Sequence, residues 1–293
     1  MPGACSNEAI GISDTTQKNA YLNDLYEKEY VEGYINTVGG SILSYDYYAI
    51  KTDSDGNNRN ITWSYLRDFD IYSYNAKQNN KELWYTMLSA GHNSVDNTKF
   101  VVPDEKDLRW QSALAMTFGA KGLNHYIYSS DAADYSTMLD YTTGEKSSVF
   151  YAMATVNREI QSWSGTYASY EWQGVSTVGD NILFKNKEQP GKFFNSKVEL
   201  MKHKIALNGC SMIATEGSAV VGNFKNSNGK YAYMITNVED PSNGVTMKIT
   251  ITFGDSCSQI KVIRRGIETT VEVSGNSLTL EIGAGEGVFV MPQ

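Results

Sequence analysis

VVPDEKDLRWQSALAMTFGAKGLNHYIY, residues 101–128, is the stretch on which the fold is decided. Pro103 and Asp104 introduce a helix that runs through Phe118, with Asp104 placed to accept a backbone N–H as its N-cap. A short glycine-containing link leads to Leu123–Tyr128 (LNHYIY), which reads as a strand.

The alternation extends in both directions. Leu83–Ala90 (LWYTMLSA) is an apolar run of strand length, preceded by a helix over Thr62–Lys77 with Leu66, Phe69, Ile71 and Tyr72 as candidate buried positions. Before a polar turn at Thr52–Asn60 lies a strand over Ser41–Ile50 (SILSYDYYAI), and before that an amphipathic helix over Tyr21–Val38. Its apolar positions Tyr21, Leu22, Leu25, Tyr26, Tyr30, Tyr34 and Ile35 recur at three and four, and Gly39 and Gly40 end it. Downstream, Ser147–Trp163 is a further amphipathic helix.

The order is thus one helix followed by three strand–helix repeats, and crossovers of that length make neighbouring strands parallel. Such units fit a doubly wound sheet or part of an eight-fold barrel. No GxGxxG follows any strand, which favours the barrel.

From about Tyr170 the pattern changes to short β-rich runs: Val198–Leu207, Ser218–Phe224, Tyr231–Asn237, Val245–Phe253, Gln259–Arg264, Glu268–Val273, Ser277–Ile282 and Gly287–Met291. Turn sequences such as SNGK, PSNG and SGN separate them, and Val245, Met247, Ile249, Ile251 and Phe253 alternate with polar residues. That alternation marks antiparallel strands with one buried face. The expected fold is therefore α/β plus all-β: a partial (β/α) barrel of about three βα units over residues 1–170, then an antiparallel β-sandwich over 171–293. The boundary is placed between about Tyr167 and Gly179.

The formal charge of −8 is scattered, a surface that repels a phosphate backbone, so nucleic acid is not an expected partner. No apolar run approaches the roughly 20 residues that span a bilayer, so no membrane partner is expected either. Met1–Asp14 lacks the basic start and apolar core of a signal peptide. Compartment stays open, with a secreted or periplasmic parent protein the expectation. Cys5, Cys210 and Cys257 lack CxxC spacing, and no cofactor or metal is expected; Cys210 and Cys257 are compatible with one disulfide in an oxidising compartment. GxSxG, HExxH and P-loop motifs are absent. The chain holds 20 Tyr and 5 Trp, residues whose flat apolar faces and polar edges suit sugar rings but also fill cores.

The segment Leu108–Tyr128 (LRWQSALAMTFGAKGLNHYIY) resembles the last helix-and-strand passage of glycoside hydrolases in the β-galactosidase branch of the large (β/α)8 glycosidase clan. An acidic loop (Asp131–Asp140), a turn from Asp140 to Gly144 and VNREIQ (Val156–Gln161) continue the likeness. ILSYDYYAI and LWYTMLSAGHN resemble strands six and seven, and VVGNFKNSNGKYAYMITNVED with LTLEIGAGEGVFVM is similar to the β-sandwiches appended to such enzymes.

The resemblance implies action on β-linked carbohydrate by two carboxylates, an acid/base after strand four and a nucleophile after strand seven. Strands one to five would then precede Met1, and Ser89, Ala90, Gly91, His92 and Asn93 follow strand seven with no carboxylate. Neither catalytic residue transfers to this chain. It is expected to be a weak or inactive hydrolase, with a non-catalytic carbohydrate-binding or structural module as the alternative. The expected partners are oligo- or polysaccharide, and further copies of the chain through open barrel edges.

Six residues are candidates for substrate binding: Asp46, Tyr48, His92, Asn93, Tyr126 and Tyr128. Asp46 is a carboxylate among aromatics, suited to a sugar hydroxyl or to a structural hydrogen bond. His92 and Asn93 lie just past a strand end, where barrel clefts open. Tyr48, Tyr126 and Tyr128 suit a stacking wall, with Tyr126 and Tyr128 on one face by strand periodicity; for Tyr126, packing inside the barrel is an equal reading. His125 is expected beneath a helix, Arg109 and Gln111 at the surface or in helix–strand contacts, and Glu171 and Trp172 between the two parts.

Overall fold

The computed structural model describes residues 25–62, 64–94, 98–181, 184, 201–273 and 275–293. The leader reading at Met1–Asp14, the start of the first helix and Cys5 lie outside the described residues. The chain is mixed α/β with mostly antiparallel sheets and few helices.

A π-helical turn, Tyr26–Glu32, continues into α1 (Gly33–Val38), which Gly39 ends at φ 71°. Strand β1 (Ile42–Asp46) is shorter than the apolar run that predicts it, because the chain leaves the sheet at Asp46. Next come β2 (Ile50–Thr52), β3 (Asn60–Ile61), α2 (Ser64–Gln78), β4 (Glu82–Leu88), β5 (His92–Asn93), β6 (Lys99–Phe100), α3 (Glu105–Thr117) and β7 (Gly122–Tyr126). The long helix α4 (Ser148–Ala168) closes this half.

Strands β1, β4 and β7 form a parallel sheet in that order, with Asp46 opposite Thr86 and Leu88 opposite Tyr126. Leu43, Tyr45, Leu83, Tyr85 and Met87 share one buried face, against which α2 and α3 pack. Asp104 caps α3 as its sequence requires, in a full capping box with Asp107. Gly122 is needed because a Cβ there would come within 2.4 Å of the Trp84 ring. Beyond the C-terminal edge of this sheet, β3, β2, β6 and β5 make a small antiparallel sheet.

Strand β8 (Tyr170–Val178) starts two residues after α4 ends. It is followed by β9 (Cys210–Glu216), β10 (Ala219–Asn226), β11 (Tyr231–Asn237), β12 (Met247–Phe253), β13 (Gln259–Arg264), β14 (Ile267–Glu272), β15 (Ser277–Ile282) and β16 (Gly287–Pro292). Six strands pair in the order β14-β13-β16-β11-β10-β8 and three in the order β15-β12-β9, all antiparallel. Val221, Tyr233, Ile235 and Val288 of the larger sheet share a buried core with Met247, Ile249, Ile251 and Leu278 of the smaller. This arrangement is compatible with a β-sandwich.

Two expectations need correction. Residues 201–207 form no strand, while residues 198–200 of that run lie outside the described residues. Cys210 and Cys257, whose pairing the sequence leaves open, are free thiols. Arg109 is a buried helix–helix contact rather than a surface or helix–strand residue, whereas Gln111 makes the helix–strand contact that the sequence offers as its alternative. Arg109 joins α3 to α4 through Glu159 at 2.8 Å, and Gln111 pairs with both backbone groups of Leu88 at 2.9 and 3.1 Å. The Gln111 amide thereby takes the place of a strand neighbour at the end of β4, just before the loop that carries His92.

Candidate functional site

The C-terminal edge of a parallel sheet is where successive strands release their chains into loops, so side chains there converge on one rim. Asp46 ends β1, Tyr126 ends β7, and His92 lies four residues past the end of β4. Tyr48 follows Asp46 by two residues and turns its ring back over this rim. Its ring stacks on Tyr126 with centroids 5.1 Å apart and meets His92 and Phe100 edge-on at 5.8 and 5.5 Å. His92 in turn stacks flat on Tyr135 at 4.7 Å and 5°. The hydroxyls of Tyr126 and Tyr135 are 3.1 Å apart. The Tyr126–Ile127 peptide is cis.

The polar groups are fixed as well. Tyr48 Oη donates to Asp46 Oδ2 at 3.2 Å. Partial burial raises the Asp46 pKa, against the lowering effect of that bond. Asp46 still reaches solvent, so its carboxylate is available to a ligand while its surroundings are less polar than water. Burial, then the neighbouring Asp46 charge, push the Tyr48 hydroxyl well above its ordinary value, so Tyr48 stays a neutral donor. The hydrogen bond to Tyr126 leads in raising Tyr135 to about 12. His92 is buried, and its Nδ1 donates to the Ala90 carbonyl at 3.1 Å, which fixes the plane of the ring.

Four of the six candidates, Asp46, Tyr48, His92 and Tyr126, therefore meet. Asn93 does not enter the ring cluster; it is exposed and its N–H donates to Asp134 Oδ2 at 3.4 Å. Tyr128 is 53% exposed, and its carbonyl accepts from Leu139 N–H at 3.0 Å. Strand periodicity does not carry it onto the face of Tyr126 because β7 ends at Tyr126. His125 is half-buried, burial lowers its pKa, and its Nδ1 has no hydrogen-bond partner among the described residues. Trp172 Nε1 donates across to the Thr117 carbonyl at 2.9 Å.

Phe100 and Tyr135 complete the cluster although the sequence reading passed them over. Each lies outside the periodic segments, and the aromatic count of the chain alone could have drawn attention to them. Among the described residues no group of three or more His, Cys, Asp or Glu is placed to hold a metal ion. What the rim offers is flat apolar rings, one half-exposed carboxylate acceptor and several hydroxyls, a set suited to a neutral polyhydroxylated ring. No protein-family model matches the chain, and comparison with the curated proteins finds no match.

Proposed function

We propose that the chain is the C-terminal part of a glycoside hydrolase-related protein that acts on β-linked carbohydrate. In this reading β1, β4 and β7 are consecutive strands of a (β/α) barrel, and the paired antiparallel sheets are its appended β-sandwich. The rim cluster is one wall of the saccharide site. The observation that supports it is the stacked Tyr48–Tyr126 pair beside the Asp46 carboxylate, at the strand ends where barrel enzymes build their sites. Hydrolysis by two carboxylates needs a second group at a set separation, and Ser89–Asn93 after β4 provides none. The chain by itself therefore binds sugar and cleaves it weakly or not at all.

Titration with methyl β-galactoside, β-glucoside and β-xyloside and their disaccharides, followed by NMR, tests the reading. At least one series should bind saturably, and Tyr48→Ala should weaken it at least tenfold, about 1.4 kcal/mol. Absence of binding across the panel overturns the saccharide site. Robust hydrolysis of aryl β-glycosides, lost in Asp46→Asn, would instead make this chain a complete enzyme.

A further inference from the structure

We propose that the cavity within the loop of residues 130–147 is a second saccharide subsite, so that the ligand is a β-linked oligosaccharide rather than a single sugar. The inference rests on the saccharide reading of the rim cluster and extends it. The cavity measures about 540 Å³, within the size range of small-ligand sites. Tyr135 makes it continuous with the rim: this side chain lines the cavity and also stacks on His92 and bonds to Tyr126.

The loop is held in shape rather than left to a ligand to organise. Gly91 and Ser136 exchange backbone hydrogen bonds at 3.1 and 2.8 Å, pinning it to the chain that carries His92. Ser147 N–H donates to the Met138 carbonyl at 2.9 Å, and Asp140 Oδ1 accepts from the backbone of Thr142 and Thr143 at 2.9 and 2.7 Å. Preorganisation of this kind lowers the entropic cost of binding.

The lining has the chemistry of a sugar site. Asp131 and Glu145 are acceptors for hydroxyl groups, and Tyr141 is 65% exposed, presenting a ring on which a sugar could stack. Asp131, Asp140 and Glu145 outnumber Lys146 in this lining, which disfavours an anionic ligand, and the carboxylates can accept from the hydroxyls of a polyol.

Calorimetric titration with β-1,4-linked gluco-, galacto- and xylo-oligosaccharides of one to four units tests the inference on the whole chain. Affinity in the series that binds should rise at least tenfold between one unit and two or three. Tyr141→Ala and Glu145→Gln, both exposed changes, should remove that gain while leaving the affinity for the single unit unchanged. Equal affinity for all lengths, or a length gain untouched by both substitutions, overturns the second subsite and leaves the rim site standing. Failure of every saccharide to bind overturns both.

Discussion

At Asp46 two influences oppose each other: partial burial raises the carboxyl pKa, and the hydrogen bond from Tyr48 lowers it. Tyr48→Phe removes only the second, so the Asp46 titration should move upward from its wild-type midpoint. Carbon-13 NMR of the side-chain carboxyl reads this directly, and a downward or absent shift would show that the 3.2 Å bond does not form in solution. The ring contacts with Tyr126 and His92 should survive, because Phe keeps the face that stacks. The same small region shows which residues sequence reasoning can reach. Asp46, Tyr48, His92 and Tyr126 are legible because each lies at or just beyond the end of an apolar run, and parallel strands bring their ends to one side. Phe100 and Tyr135 are not, since a loop has no period from which to read direction.

Among the elements, the π-helical turn at Tyr26–Glu32 is held by a buried ionic cluster. Glu27 accepts from Asn75 Nδ2 at 2.7 Å on α2, and from His203 Nε2 at 2.8 Å and Lys202 Nζ at 2.5 Å on the segment before β9. Burial alone would raise its pKa, yet these donors outweigh burial and hold it at about 2. Asp70 on α2 is pushed up to about 6, mainly by burial, although it accepts the His203 backbone N–H at 2.9 Å. The consequences for stability are opposite in sign. Glu27 contributes fully above its ordinary value of 4.5, and the contribution is lost as pH falls through 4.5 toward 2. Protonation of Asp70 favours the fold, so its contribution is full below 3.8 and is lost as pH rises through about 6. Urea unfolding should therefore show greatest stability at about pH 4, where the two contributions overlap, with a few kcal/mol lost on each side. Glu27→Gln should flatten the acid limb, and Asp70→Asn, which keeps the acceptor, should flatten the neutral one. A profile unchanged in both variants would remove the cluster as its source.

The pairing of distant charges in that cluster was invisible in sequence, whereas the strands with one buried face were not. β11, β13 and β15 begin and end where alternation and turn residues place them. β8 and β9 escaped: β8 carries Gly174 within it and shifts register against β10, and β9 exposes most of its length. β8 nonetheless matters to the molecule as a whole, because with β10 it receives the end of α3. Ala113 and Met116 of α3 share a buried core with Tyr170, Phe224, Met234 and Phe289. The Thr117 carbonyl accepts from Trp172, and its hydroxyl lies 2.7 Å from that of Thr236. Gly222 makes this approach possible, since a Cβ there would fall 2.3 Å from the Thr117 oxygen. A backbone carbonyl at a helix end cannot yield by a side-chain rotation, so Gly222→Ala must lift α3 from the larger sheet. We expect a loss of about 1–3 kcal/mol. Because the core is shared, scanning calorimetry should show one transition in the wild type and one lowered transition in the variant. Gly165→Ala is the control: this glycine lies within α4 with nothing within 4 Å of the added Cβ, and alanine should stabilise by up to about 1 kcal/mol. Two separate transitions in the wild type, or a Gly222→Ala melt no lower than that of Gly165→Ala, would mean that the βα half and the β half fold independently and that their contact adds little to either.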